Sequence, residues 1–138
     1  MPSLKLVHKE RLGGEILPRS ILMQTFDKNH HYLLCALGDG HLFSFKMNEN
    51  SGSITERKKV SLGSKPITLT PFTSKGSKNV FASSDKPTVI YSNSQKLLYS
   101  NVNLKEVNFV CPFNSSLEQE GIAIAKDNSL VLGQIDEI

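Results

Sequence analysis

The chain has no tryptophan and only two cysteines, Cys35 and Cys111. No Cys-x-x-Cys pair occurs, so a structural zinc site lacks its usual ligand spacing. Both cysteines lie in apolar runs, Leu33–Leu37 and Phe109–Cys111, where free thiols are expected to behave as small buried hydrophobes and not to form a disulfide. No apolar run approaches the roughly 20 residues that a membrane-spanning helix needs. The opening Met1-Pro2-Ser3-Leu4-Lys5 lacks the apolar stretch of a secretory signal. These absences lead to an expected home in a reducing compartment, nucleus and cytoplasm. Asn114-Ser115-Ser116 matches a glycosylation sequon, but without secretion the match is read as chance.

Strong charge of either sign is also missing. Sixteen basic and 13 acidic residues among 138 leave a net charge of +3. A dedicated nucleic-acid binder concentrates basic charge on one face. Here the only basic cluster is Arg57-Lys58-Lys59, read as a solvated strand edge in preference to a phosphate or partner contact.

Helical periodicity is nearly absent. Apolar residues come instead in short runs broken by Gly, Asn, Asp, Ser and Pro, the pattern of many short strands. Twelve strands are expected, near Leu4–Val7, Arg19–Phe26, Tyr32–Gly38, His41–Met47, Ile54–Leu62, Ile67–Phe72, Asn79–Ser83, Thr88–Ser92, Lys96–Val102, Val107–Phe113, Gly121–Ala125 and Ser129–Ile135.

Three segments resemble one another. Each runs from a Phe through an apolar strand to an Asp turn and back along a second apolar strand. They are Phe26 to Asp39, Phe72 to Asp85 and Phe113 to Asp127, spans of 13, 13 and 14 residues. Successive Asp residues are 46 and 42 apart. Leu12-Gly13 and Leu62-Gly63 stand at matching places before the first two copies. A period of about 40–50 residues holding four strands is that of a propeller blade. Gly38-Asp39-Gly40 carries the Asp-Gly pair that a type I′ hairpin prefers, and Asp127-Asn128 is a weaker form of it. Asp85-Lys86-Pro87 puts proline at the mouth of a strand. Leu33–Leu37, Ile122–Ala125 and Leu130–Leu132 are continuously apolar, as strands covered on both faces are. Ile54–Val60 is charged, as an outer edge should be. A β-sandwich is the rival all-β architecture.

The fold expected is therefore all-β, with about three four-stranded antiparallel blades. The division expected is the end of a preceding blade over 1–11, a blade over 12–62, a second over 63–102 and an incomplete blade over 103–138. Three blades cannot close a toroid of about four to eight. Both ends look cut, so a fragment of a longer protein is expected.

Three stretches carry a family resemblance: Leu12–Met23, Leu33–Gly40, and above all Asn79–Ser92 with Ser100–Asn108. They resemble the large subunits of UV-damaged-DNA-binding proteins, adaptors of cullin–RING ubiquitin ligases. The wider superfamily includes splicing-factor and polyadenylation-specificity subunits, which share a Leu-Gly-Ser-x-Pro turn like Leu62–Pro66. The resemblance implies a part of the second of three propellers, seven-bladed and incomplete at both ends in this chain. It implies an adaptor that links substrate receptors to a cullin, with a role in DNA damage response and repair. It implies that contact with damaged DNA belongs mainly to a partner subunit and is indirect here. No membrane or small-molecule partner is expected. It fixes no partner-contacting residue here.

Catalytic chemistry is not visible. His30 and His31 are adjacent, so on a strand their side chains point to opposite faces and cannot easily share an ion with His41. Gly38-x-Gly40 opens a hairpin and not a helix, so it is no phosphate cradle. Nothing groups Ser, His and Asp into a triad. Asp39, Asp85 and Asp127 recur as turn residues. No residue is assigned as catalytic, cofactor-binding or metal-ligating, and no cofactor is expected. The leading expectation is a protein-interaction scaffold that is not an enzyme. The alternatives are a nucleic-acid-associated propeller subunit of an RNA-processing complex and, further off, a propeller enzyme.

Overall fold

The computed structural model describes residues 5–6, 8–27, 30–93, 96–113, 121–126 and 129–135. Among them are eleven strands and no helix. Strands β1 (Pro18–Asp27), β2 (His30–Leu37), β3 (His41–Met47) and β4 (Ile54–Ser61) pair in sequence order. So do β5 (Thr68–Ser74), β6 (Ser77–Ser83), β7 (Thr88–Asn93) and β8 (Lys96–Asn101). A third sheet holds β9 (Phe109–Phe113), β10 (Gly121–Lys126) and β11 (Ser129–Gly133), with β10 central. Every pairing is antiparallel. Of the strand expected over Leu4–Val7, Leu4 and Val7 lie outside the described residues, and Lys5 and Leu6 are not in a strand.

The period-2 alternation of side chains decides how the sheets stack. In the first sheet Leu22, Leu34 and Ser44 share one face by register, as do Ala36, Leu42 and Val60. That face meets Ile67, Leu69, Val80, Ala82 and Ile90 of the second sheet and its leading loop. The opposite face of the second sheet presents Phe72, Phe81 and Val89 to Val110, Ile122 and Ile124 of the third. The middle sheet is thus apolar on both faces, which is why β6 is buried from Asn79 to Ser83. Each fully buried Leu, Ile or Phe contributes roughly 1.5–3 kcal/mol. The repeat residues Phe26 and Phe72 take equivalent places, one in each inter-sheet core. Strand β1 lies against β5 and β6, and β5 against β9, so successive sheets meet through their first strands, and β4 and β8 form outer edges.

Two hairpins differ from the sequence reading. In the loop Gly38-Asp39-Gly40 only Gly40 has positive φ, +90°, and its amide bonds Leu37 O at 3.5 Å. This is a three-residue loop closed by a glycine bulge, not a type I′ turn. The Asp39 carboxylate accepts the His41 amide at 3.2 Å and so holds Asp39 out of the left-handed region. A two-residue turn with both φ values positive does occur, at Lys75-Gly76 (51° and 78°) between the paired Ser74 and Ser77. The Asp127-Asn128 turn lies outside the described residues.

Candidate interaction surfaces

One rim of the stack is built by the β2–β3 and β6–β7 loops and the links between sheets. The Gly40 carbonyl accepts the amides of Leu62 at 2.9 Å and Gly63 at 3.3 Å. A β-carbon on Gly40 would overlap the Gly63 carbonyl, so the close approach of the two chains requires glycine. The Asp85 carboxylate crosses to the same link. It accepts the Ser64 amide at 3.1 Å and the Ser64 hydroxyl at 2.7 Å. The Ser64 hydroxyl, followed by its amide, holds the Asp85 carboxyl below the usual carboxylate range despite partial burial. One link further on, the Val107 amide bonds Ser84 O at 3.0 Å, and Lys65 Nζ pairs with Glu106 at 2.6 Å. Asp85 is therefore an inter-sheet clamp, whereas Asp39 serves its own loop. Sequence reading treated the two alike; the distinguishing signal was Ser64 in the Leu62–Pro66 turn.

The two ends of the stack are apolar. On the outer face of the first sheet Ile21 and Met23 are exposed beside Leu33, Cys35 and Phe45. A cavity of about 410 Å³ lies there, walled by Glu10 and Leu12 of the leading segment. Arg57 fastens that segment by donating to Arg11 O at 2.8 Å and to Leu12 O. Its guanidinium also sits 4.4 Å from the centre of the Phe43 ring and 3.5 Å from the Glu10 carboxylate. At the far end, Phe109, Leu130 and Leu132 are exposed on the outer face of the third sheet. Cys111 shares that face by register and is exposed, against the expectation that both cysteines are buried. The reason is local: the residues on either side of it in β9, Val110 and Pro112, face the core side of the sheet. Cys35 is buried, and that burial pushes its thiol pKa up.

The basic triplet lies exposed on the edge strand β4, as expected, with its side chains divided between two faces. Strand alternation sends Arg57 and Lys59 toward Phe43 on the outer face. It sends Lys58 into a groove between the first and second sheets. A bulge between Ser44 and Lys46 in the β3–β4 register, with Glu56 at φ 52°, immediately precedes the triplet. Of the histidines, His31 Nδ1 lies 2.7 Å from Thr25 Oγ1 and His41 Nδ1 lies 2.9 Å from Asp39. Among the described residues no three His, Cys, Asp or Glu side chains are placed to share a metal ion.

Residues 1–135 match the model of the RSE1/DDB1/CPSF1 second beta-propeller. The chain belongs to that family. Its three sheets are accordingly blades, each strand-paired within itself and packed face to face on the next. Over all 138 residues the chain is 61% identical to DNA damage-binding protein 1 of Oryza sativa subsp. japonica. It is 59% identical to the protein of that name in Solanum lycopersicum and 57% to DNA damage-binding protein 1a of Arabidopsis thaliana. The chain spans 13% of the length of each of these relatives. The outer faces bearing Ile21 and Leu130 are thus the faces on which propeller blades normally stack.

Proposed function

We propose that this blade set is a scaffold segment of an adaptor that links substrate receptors to a cullin–RING ubiquitin ligase in the response to DNA damage. The observation that carries this reading is identity of 56–61% along the whole chain to plant DNA damage-binding proteins. The splicing and polyadenylation branches share the family model, but the relatives matched at this identity carry the damage-binding name. A mechanical role suits the geometry. Clamps such as Asp85–Ser64 and Lys65–Glu106 tie successive blades together, so a partner bound on one blade is held rigidly relative to the next. In this reading the protein does no chemistry of its own. Its partners are the cullin and the receptors, with damaged DNA reached through a partner subunit, and it works in nucleus and cytoplasm.

The test is purification of the full-length endogenous protein under gentle lysis, followed by mass spectrometry of what accompanies it. Recovery of a cullin in stoichiometric amount is expected. Recovery of splicing or polyadenylation subunits with no cullin would replace this reading with the RNA-processing one.

A further inference from the structure

The outer edges of the first two blades are guarded differently. In β4 a bulge and the charges of Glu56, Arg57, Lys58 and Lys59 obstruct the addition of a further strand. In β8 the register with β7 runs unbroken from Thr88↔Asn101 to Asn93↔Lys96, and the one charge, Lys96, stands at its first residue. The Val102 amide donates to Pro87 O at 2.9 Å, so the main chain of Val102 faces β7. Residues alternate along an antiparallel ladder, so Ser100, Leu98 and Lys96 face β7 as well. Leu97, Tyr99 and Asn101 therefore turn their N–H and C=O groups outward. Among the described residues no hydrogen bond reaches these outward groups. The side chains of Leu97 and Tyr99 pack against the core shared with the first blade. There they border a groove of about 410 Å³ whose opposite wall includes Ser44, Lys58 and Val60. The Tyr99 hydroxyl is hydrogen-bonded to the Ser44 side chain across the blade boundary.

We propose that β8 is a docking edge for an extended, uncharged segment of a partner protein, which adds to the second blade as a further antiparallel strand. Main-chain hydrogen bonds to Leu97, Tyr99 and Asn101 supply the affinity, and side chains that reach the groove supply the selectivity. In an antiparallel pair, residues that exchange hydrogen bonds also project their side chains to one face. Alternate residues of the segment thus bond the edge and face the groove at once. Val60 and Leu97 favour apolar side chains there. The groove offers Lys58 beside the Lys46–Glu56 pair, whose charges lie 3.7 Å apart, so it has little preference for charge of either sign. A nucleic-acid strand does not repeat an N–H donor and a C=O acceptor at the spacing of alternate strand residues, whereas a polypeptide does. The proposal stands on this edge alone and does not depend on the ligase reading.

The test is a fluorescence-anisotropy titration of the protein at its native length with a fluorescein-labelled heptapeptide alternating Thr and Val, its ends capped. Saturable binding is expected. N-methylating every Val of the peptide blocks the amides that bond β8 and should weaken binding about tenfold or more. N-methylating every Thr, whose amides point away, should leave binding unchanged. Both peptides leave the protein untouched, so this comparison does not depend on a variant folding. On the protein, Asn101→Pro removes one outward N–H and spares the ladder to β7. Asn101→Ala keeps that N–H but likewise loses the side chain that accepts the Thr88 hydroxyl at 3.3 Å. The proline variant should bind several-fold more weakly than the alanine variant while melting at the same temperature. No saturable binding, equal weakening by the two methylation patterns, or equal binding by the two variants would overturn the proposal. So would a native-length protein that self-associates and becomes monomeric on Asn101→Pro, because the edge would then belong to a second copy.

Discussion

Asp85 shows how one side chain can hold two blades. Its carboxylate accepts both the amide and the hydroxyl of Ser64, a residue on the link leading into its own blade from the preceding one. Hydrogen bonds to a charged group contribute about 1.5–3 kcal/mol. Replacing Asp85 with Ala is therefore expected to lower stability by about 1–3 kcal/mol, read from the shift of a urea unfolding midpoint. The bonds to Ser64 favour the ionised carboxylate, so its folded pKa lies below the value of about 3.9 found in unfolded chains. A depressed acid pKa adds stability that is fully present above about pH 4 and is lost as pH falls through the folded value. The Asp85→Ala protein should thus fall behind the parent at neutral pH and converge with it as pH falls through the folded value. A constant gap down to pH 2 would mean that the carboxylate charge is not what clamps the link.

At the scale of the strand, most of the fold was legible because apolar runs and turn residues alternate regularly. The hairpin chemistry was legible only in part. Asp39-Gly40 carries the strongest short-range signal in the chain, yet the three-residue loop uses only the glycine's left-handed freedom. Lys75-Gly76 forms the tighter turn, and lysine gives little hint that it will take a positive φ. In β4 the charged run announced an exposed edge but not which way each charge points, because the bulge at Glu56 resets the alternation. Arg57 thereby gains the carbonyls of Arg11 and Leu12 and the ring of Phe43, all more than 10 residues away in sequence. Removing these contacts with Arg57→Ala should release the leading segment before it unfolds anything else. Amide exchange over residues 8–14 is expected to quicken while β2 and β3 keep their protection. Unchanged exchange at 8–14 would show that Leu12, packed on Phe43 and Phe45, is the stronger anchor.

For the whole molecule, the repeat of Phe and Asp positions carried the blade stack, and the family match agrees with it. Which surfaces stay open could not be read from that repeat, since inward and outward faces of a blade are both apolar. The structure separates them: Ile21 and Met23 are wet at one end, and Phe109, Leu130 and Leu132 at the other. Burying about five such side chains would yield roughly 8–15 kcal/mol at 1.5–3 kcal/mol each. Association itself costs about 4–15 kcal/mol, so the surplus is small. The 138-residue chain on its own is therefore expected to associate weakly, with a molecular weight that rises with concentration in sedimentation equilibrium. Leu130→Lys combined with Leu132→Lys should abolish that rise, because both leucines are exposed on the third blade and neither belongs to a buried cluster. A monomer at every concentration, melting sharply, would mean that blade faces this apolar tolerate water without a covering neighbour.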